Sequence, residues 1–364
     1  MRWVKLLALI PALGMLLSGC QDIGEVENQA YVLVLALDTA EDGALELTVR
    51  VPGIGKSDTK GKEGDAGGSP YLSFSVSAPS WSRALDELQW VTPRRVNLSH
   101  IEMIVASEAL ASQPSFPNLT REIADTPHLY TNARLVICSG SARAFLEAGE
   151  TVIGTRLSSE IHTMLSQYAR QGFIPDACLA DACYCANGIY GDPIAIWGEL
   201  EDAPSDDEAG AVLESPMRQR FSGTALLRGG RLVRRLSRRE TRLFNLIRGQ
   251  CKAFPCAWQG GIAELTLRSA ALEARFAGDD ISLLLRLKLR APEGLSEAEA
   301  SNLEAAIRTE ITRLVGDCQR LGVDPFGFAE SAAAHFATVP QWTAYDWRRR
   351  YAGAPLTVDL TIST

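Results

Sequence analysis

The chain has 364 residues, 46% hydrophobic and 22% charged, and its 44 acidic against 36 basic side chains leave a net charge of −8. That length has room for two or three domains with real cores. The negative balance excludes a body that binds nucleic acid or an anionic lipid surface through bulk charge, and after residue 20 no apolar run reaches the ~18 residues of a bilayer span.

The chain opens with Arg2 and Lys5, then an apolar run from Leu6 to Leu17 that ends in Leu17-Ser18-Gly19-Cys20. A basic start, a short apolar core and small residues at its end predict a secretory signal over residues 1–19. The cysteine directly after the small pair resembles the lipobox of bacterial lipoproteins. That resemblance implies a diacylglycerol thioether on Cys20, cleavage just before it, and tethering to the outer face of a membrane. Loss of Arg2 and Lys5 with the signal takes the net charge from −8 to −10, so the tether has to come from lipid rather than from a basic patch.

A polar lead, Gln21 to Asn28, brings the chain to a predicted buried strand over Ala30–Leu37. Asp42-Gly43 is a hairpin turn into Leu45–Val51, which alternates apolar and polar residues as a half-exposed strand does. Residues 52–70 hold little to bury and read as a loop. Tyr71–Val76 alternates again, and Pro79-Ser80 starts a helix to about Trp90. Ser99–Ala106 and Ala133–Cys138 are further strands. Helices follow at Ser141–Ala148 and Thr155–Gln171, the second with Leu157, Ile161, Leu165 and Tyr168 on one face.

The acidic stretch Glu199–Glu208, with Pro204, reads as a boundary. Beyond it Phe221–Leu227, Gly229-Gly230 and Arg231–Leu236 predict a hairpin, and Ser237-x-x-Glu240 is a capping box opening a helix to Ile247. Arg228, Arg231, Arg234, Arg235, Arg238, Arg239 and Arg242 crowd this region. They fall on both faces of a strand and around a helix start, which favours a solvated face over a contact with acidic headgroups or an acidic partner.

Ile262–Leu267, Ala271–Phe276 and Ile281–Leu289 are strands, and Ser296-x-x-Glu299 is a second capping box. From there Leu303, Ile307, Ile311, Leu314, Cys318 and Leu321 repeat at helical spacing until Gly322. A short helix from about Phe326 to Phe336 and a terminal strand, Leu356–Ile362, complete the pattern. A long amphipathic helix between two alternating strands is expected to cross a sheet that both share. The fold class is α+β, with antiparallel or mixed sheets.

The sequence supplies little that looks like catalysis. His100, His128, His162 and His335 fall into no metal or triad spacing, and Ser99-His100 would point to opposite faces of a strand. There is no phosphate-binding loop, nucleophile elbow or dinucleotide glycine pattern, and Asp206-Asp207 sits in a polar linker. Besides Cys20 the cysteines are Cys138, Cys178, Cys183, Cys185, Cys251, Cys256 and Cys318. Their spacings match no zinc ribbon, and buried or incidental thiols explain them better than a metal site or a disulfide framework. No enzyme activity, cofactor or metal is expected.

Five pieces in order behind the lipobox carry a resemblance. They are Ala30–Asp38; Pro93-Arg94-Arg95 ahead of His100–Val105; Phe221–Leu227 leading to Arg231–Val233 and Glu240-Thr241; Asp324-Pro325-Phe326-Gly327-Phe328; and Pro340-x-Trp342-x4-Trp347. Together they resemble the C subunits of endospore germinant receptors, the Ger(x)C lipoproteins, a likeness that implies three mixed α/β modules, at 20–200, 215–260 and 261–364. The resemblance implies a non-catalytic lipoprotein needed for spore germination, held at the outer face of the spore inner membrane by its acylated Cys20. Its partners would be the receptor's two integral membrane subunits, A and B, and no nucleic acid. Gln21 stands where that family usually has tryptophan. The alternative is a surface lipoprotein of the solute-binding class, against which the consecutive alternating strands at 262–289 speak.

Overall fold

A computed structural model describes residues 28–53, 71–148, 157–187, 191–202, 217–258, 261–278 and 280–363. The signal segment, Cys20, the loop expected at 54–70 and the acidic linker around Asp206-Asp207 lie outside them. The described strands form an eight-stranded sheet, a four-stranded sheet and a two-stranded pair.

The large sheet is built around four parallel strands, β2 (Val34–Thr39), β6 (Met103–Ser107), β7 (Arg134–Cys138) and β8 (Ile194–Asp202). Their residues are buried almost without interruption, as parallel strands covered on both faces must be. Antiparallel strands finish both sides. β3 (Leu45–Pro52) and β4 (Tyr71–Ala78) extend it past β2, and β9 (Met217–Arg228) and β10 (Arg231–Leu236) extend it past β8. The mixed α+β class expected from the sequence is therefore the one observed, with a parallel centre inside the antiparallel margins.

Alternation along these strands divides two layers. Leu35, Leu37, Ile104, Ala106, Leu135, Ile137 and Trp197 face one core. It is covered by helices α1 (Trp81–Val91), α2 (Glu108–Ala111), α3 (Phe116–Ala124) and α6 (Leu179–Asn187). The opposite residues, Val34, Ala36, Met103, Val105, Val136, Cys138 and Ile196, pack under α4 (Ala142–Glu147), α5 (Leu157–Arg170) and α7 (Arg238–Ile247). That second core runs on without a break into the C-terminal half. There β11 (Ala253–Trp258), β12 (Gly261–Ala277), β13 (Asp280–Arg290) and β14 (Leu356–Ser363) form the smaller sheet.

The long helix crosses this sheet as its pattern predicts. It is α8 (Glu297–Leu321), and it opens on Ser296, whose capping box with Glu299 has both hydrogen bonds formed. It buries Ile307, Ile311, Leu314, Val315 and Cys318, and it closes at Gly322 with φ 64°. Three short helices follow, α9 (Phe328–Ala333), α10 (Val339–Tyr345) and α11 (Trp347–Gly353). β14 then returns parallel to β13, with Leu285 opposite Val358.

Several elements differ from their sequence pattern for identifiable reasons. The run Ala30–Leu37 is divided at Val32-Leu33 because the chain changes partners there. β1 (Gln29–Tyr31) pairs in parallel with β5 (Arg95–Asn97), and only from Val34 does the chain enter the large sheet. The strands expected at 262–267 and 271–276 are one strand of 17 residues, whose ladder to β13 skips Arg268 between Leu267 and Ser269; such a bulge interrupts alternation without ending a strand. The strand expected over Ser99–Ala106 begins only at Met103. The helix expected over 326–336 is shortened to Phe328–Ala333. The segment 215–260 owns no sheet: β9 and β10 belong to the large one, β11 belongs to the small one, and α7 lies in the core shared between them.

Gly223 makes the β9–β10 approach possible. A Cβ there would meet the Leu236 carbonyl oxygen at 2.5 Å, backbone that cannot swing aside. Gly223→Ala is expected to lower unfolding free energy by about 1–3 kcal/mol, the usual cost of overpacking. Gly353→Ala, with nothing within 4 Å, should leave it unchanged. Urea denaturation of the two variants measures the difference.

Candidate functional site

Two of the sequence pieces meet in space, where the two halves of the chain join. Asp324 follows the end of α8, and its carboxylate accepts hydrogen bonds from the N–H groups of Gly327 (3.2 Å), Phe328 (3.3 Å) and Ala329 (2.6 Å). It thereby satisfies the free donors at the start of α9. Trp342, on α10, stacks on Trp347 at 5.7 Å, and Trp347 packs on Tyr351 at 5.6 Å, both on α11. Phe328 reaches the same Tyr351 at 6.3 Å.

The N-terminal half contributes Asp192, in the turn Gly191-Asp192-Pro193 that leads into β8. Only 4% of its side chain is exposed, and the guanidinium of Arg348 donates to its Oδ1 at 2.8 Å. The N–H of Gly229, in the β9–β10 turn, donates to the same oxygen at 3.0 Å, and the N–H of Asp324 donates to Oδ2 at 2.9 Å. In return the Asp192 N–H donates to the Asp324 carbonyl at 2.9 Å. One carboxylate thus ties together the hairpin, the start of β8, the chain after α8 and helix α11.

A cavity of about 250 Å³ lies against this node, bordered by Cys185 as well as Asp192, Asp324 and Arg348. Burial first, and then the negative charge of Asp192, push the Asp324 carboxyl up to about 6. Burial also pushes the Cys185 thiol up to about 11, so at neutral pH it is protonated and a poor nucleophile. Among the described residues the Trp347 indole N–H and the Tyr351 hydroxyl have no hydrogen-bond partner, so the aromatic stack contributes through packing. The acids and the arginine are occupied with one another, and the arrangement fixes geometry.

The other sequence pieces are also structural. Asp38, at the end of the first one, caps α4 from across the sheet, accepting from Ala142 N–H (2.9 Å), Arg143 N–H (2.8 Å) and the Ser141 hydroxyl (3.1 Å). In the third piece, the hydroxyls of Thr224 and Thr241 meet at 3.1 Å between β9 and α7. Ser99 and His100 occupy a turn rather than a strand, so their side chains do approach, at 2.8 Å. The Ser99 hydroxyl nevertheless donates to Asn97 Oδ1 at 2.6 Å, and the imidazole packs edge-on to Tyr31. His162 lies 3.6 Å from Glu102, and His335 packs on Phe276. Cys138, Cys251, Cys256 and Cys318 are buried, and burial raises the Cys138 and Cys318 thiols to about 12.

The arginine-rich segment departs in part from its sequence reading. Arg234 bridges Glu240 (2.5 Å) and Asp317 of α8 (2.9 Å). Arg239 holds Glu310 of α8 with two nitrogens, at 2.8 and 3.0 Å, donates to the Pro255 carbonyl, and lies over the Phe254 ring. Arg242 covers Phe173, and Arg235 covers Trp197. These four side chains tie β10 and α7 to their neighbours, while Arg228, Arg231 and Arg238 are exposed as the solvated-face reading has them. The sequence offered no signal for Asp192 or Arg348, which are 156 positions apart.

The family described as "Spore germination protein N-terminal domain" matches residues 22–197, and "Spore germination B3/ GerAC like, C-terminal" matches residues 222–363. The chain therefore belongs to the GerC-type spore germination family. A Bacillus subtilis (strain 168) protein named "Putative spore germination protein YfkR" is 29% identical over 136 residues, 36% of this chain and 34% of that protein. The chain thus spans about a third of the length of the curated relative it matches. A solved structure, that of the GerBC protein, aligns with a TM-score of 0.49 at 12% identity, over 90% of this chain and 96% of that one.

Two expectations follow from the node. Arg348→Met removes the cation from a buried Asp192 carboxylate that keeps two N–H donors, and because the Arg348 side chain is itself 41% exposed the cost should be about 1–3 kcal/mol of stability, read by chemical denaturation. Asp324 titrates higher in the fold, at about 6, than its ordinary 3.8. Its contribution is thus fully present below about 4 and is lost as pH rises through 6. The stability of the native chain relative to Asp324→Asn should fall between pH 4 and pH 6 and level off above, as urea midpoints across that range would report.

Proposed function

We propose that this chain is the lipid-anchored C subunit of a nutrient germinant receptor, required for spore germination through assembly with the integral membrane A and B subunits. The observation that carries the reading is the family match, which takes both halves of the chain in order and leaves only the leading residues and a linker unmatched. The Leu17-Ser18-Gly19-Cys20 sequence supports the anchor. A diacylglycerol thioether there gives two acyl chains, which hold a protein to a bilayer where a single chain binds only marginally. Among the described residues no helix is long and apolar enough to cross a membrane.

The role is assembly rather than catalysis. The acids and thiols at the junction are engaged or protonated, and the surfaces of a body held close to the membrane are available to membrane subunits. The location is the outer face of the spore inner membrane.

Deleting the chain should abolish the response of spores to the nutrient of its receptor while leaving a receptor-independent trigger effective. Equal loss of both responses, or of neither, counts against a receptor role. Cys20→Ala should release the protein from the membrane fraction or leave it as the uncleaved precursor. Unchanged membrane retention, read by fractionation and N-terminal mass, would remove the anchor.

A further inference from the structure

Among the described residues the most exposed large apolar side chain is Trp90, at 84%, and Val91 beside it is 49% exposed. Among the described residues they are the only two large exposed apolar residues adjacent in sequence; they end α1, with Trp90 on the side away from its buried Trp81, Ala84 and Leu88 and Val91 in the last position of the helix. The turn that displays them is firmly built. The Thr92 hydroxyl and N–H both donate to the Leu88 carbonyl, at 2.6 and 3.0 Å. The Gln89 side chain donates to the Arg94 carbonyl and accepts from the Val96 N–H, both at 3.0 Å, fastening the helix end to β5. A tryptophan held outward by a braced turn is displayed, not left over from poor packing.

Two further features define what covers it. Arg94 and Arg95 follow directly, and no carboxylate pairs with either among the described residues; the nearby Glu87 is taken by Arg83 at 2.7 Å. Next, β5 pairs in parallel with β1, with Gln29 opposite Arg95, so the chain arriving from Cys20 enters the fold beside this tip. Only residues 21–28 separate Cys20 from Gln29. At ~3.5 Å per residue those nine steps reach at most about 30 Å.

We infer that the Trp90–Arg95 tip is a membrane-contact site, in which Trp90 and Val91 enter the headgroup region of the bilayer that holds Cys20 while Arg94 and Arg95 meet lipid phosphates. An indole sits well at that depth, with an apolar body and a polar N–H, and two unpaired guanidinium groups complement phosphate. The inference rests on the proposed acylation of Cys20: the tether holds the tip near the surface, and the tip fixes which way the body faces. It supplies orientation to a body whose overall charge is negative and whose attachment comes from lipid.

The test uses the intact chain from a lipidating host, reconstituted into vesicles of equal phosphatidylcholine and phosphatidylglycerol with or without bromine on the acyl chains near the headgroup. Bromine should quench part of the tryptophan emission, and Trp90→Phe should remove at least three-quarters of the quenched component, since the other tryptophans of the mature chain are buried or half-buried. The double variant Arg94→Glu, Arg95→Glu should halve the quenching or better, with an unchanged spectrum in the absence of vesicles. If the N-terminal mass carries diacylglycerol and the protein floats with vesicles, yet bromine quenches nothing or quenches Trp90→Phe equally, the tip inference is overturned and the anchor stands. If the mass shows an unmodified Cys20, the anchor reading fails and the inference falls with it.

Discussion

A carboxylate with almost no access to water has to find enough donors or lose its charge, and Asp192 finds them on a hairpin of the large sheet and on two segments that follow α8. One oxygen takes the Arg348 guanidinium and the Gly229 N–H, and the other takes the Asp324 N–H. Each partner stands on a different element, so the ion is solvated only when those elements are in register. Removing one partner leaves a charge that the interior cannot tolerate, which makes this junction a strong constraint on how the two sheets meet. Asp324 repeats the theme one step on, its own carboxylate held by the start of α9.

Around that node the joint is closed by apolar packing and by arginines. α7 buries Leu243, Phe244, Leu246 and Ile247 in the core common to both sheets. Its polar side sends Arg239 to Glu310, while Arg234, on the preceding strand, reaches Asp317. These pairs are only partly exposed, and Arg239, like Arg242 on the same helix, also covers an aromatic ring, so its aliphatic stem contributes packing as well as charge. What composition suggests is a solvated basic stretch is, in place, the seam of the molecule.

The elements were largely readable in the chain because their signals are local. The two capping boxes, Ser237–Glu240 and Ser296–Glu299, each start a helix with both hydrogen bonds made, and β13 keeps Leu283, Leu285, Leu287 and Leu289 buried on one face, whereas β3, which reads as half-exposed, is buried without a break from Leu47 to Val51. What was not readable depends on distant partners. Nothing near Val32 announces that the chain leaves one strand pair for another, and nothing near Arg268 separates a bulge from a strand end. The junction shows the same limit. The Asp324–Phe328 and Trp342–Trp347 pieces could be picked out as a family likeness, but their meeting with Asp192 depends on the fold that brings them together. Arginines defeat composition for a related reason, since a guanidinium in solvent, as at Arg238, and one bound to Glu310, as at Arg239, look the same in a sequence.

The shared core also bears on how such a body could relay anything to a neighbour. A hinge needs a few residues that absorb the change of angle while little else crosses the gap. Here α7, a buried carboxylate and a row of ion pairs all cross it, and bending there would open apolar surface and strip an ion of its donors together. A displacement imposed at the Trp90 end would therefore travel to the far sheet as rotation of the whole, the way a lever carries movement from one end to the other.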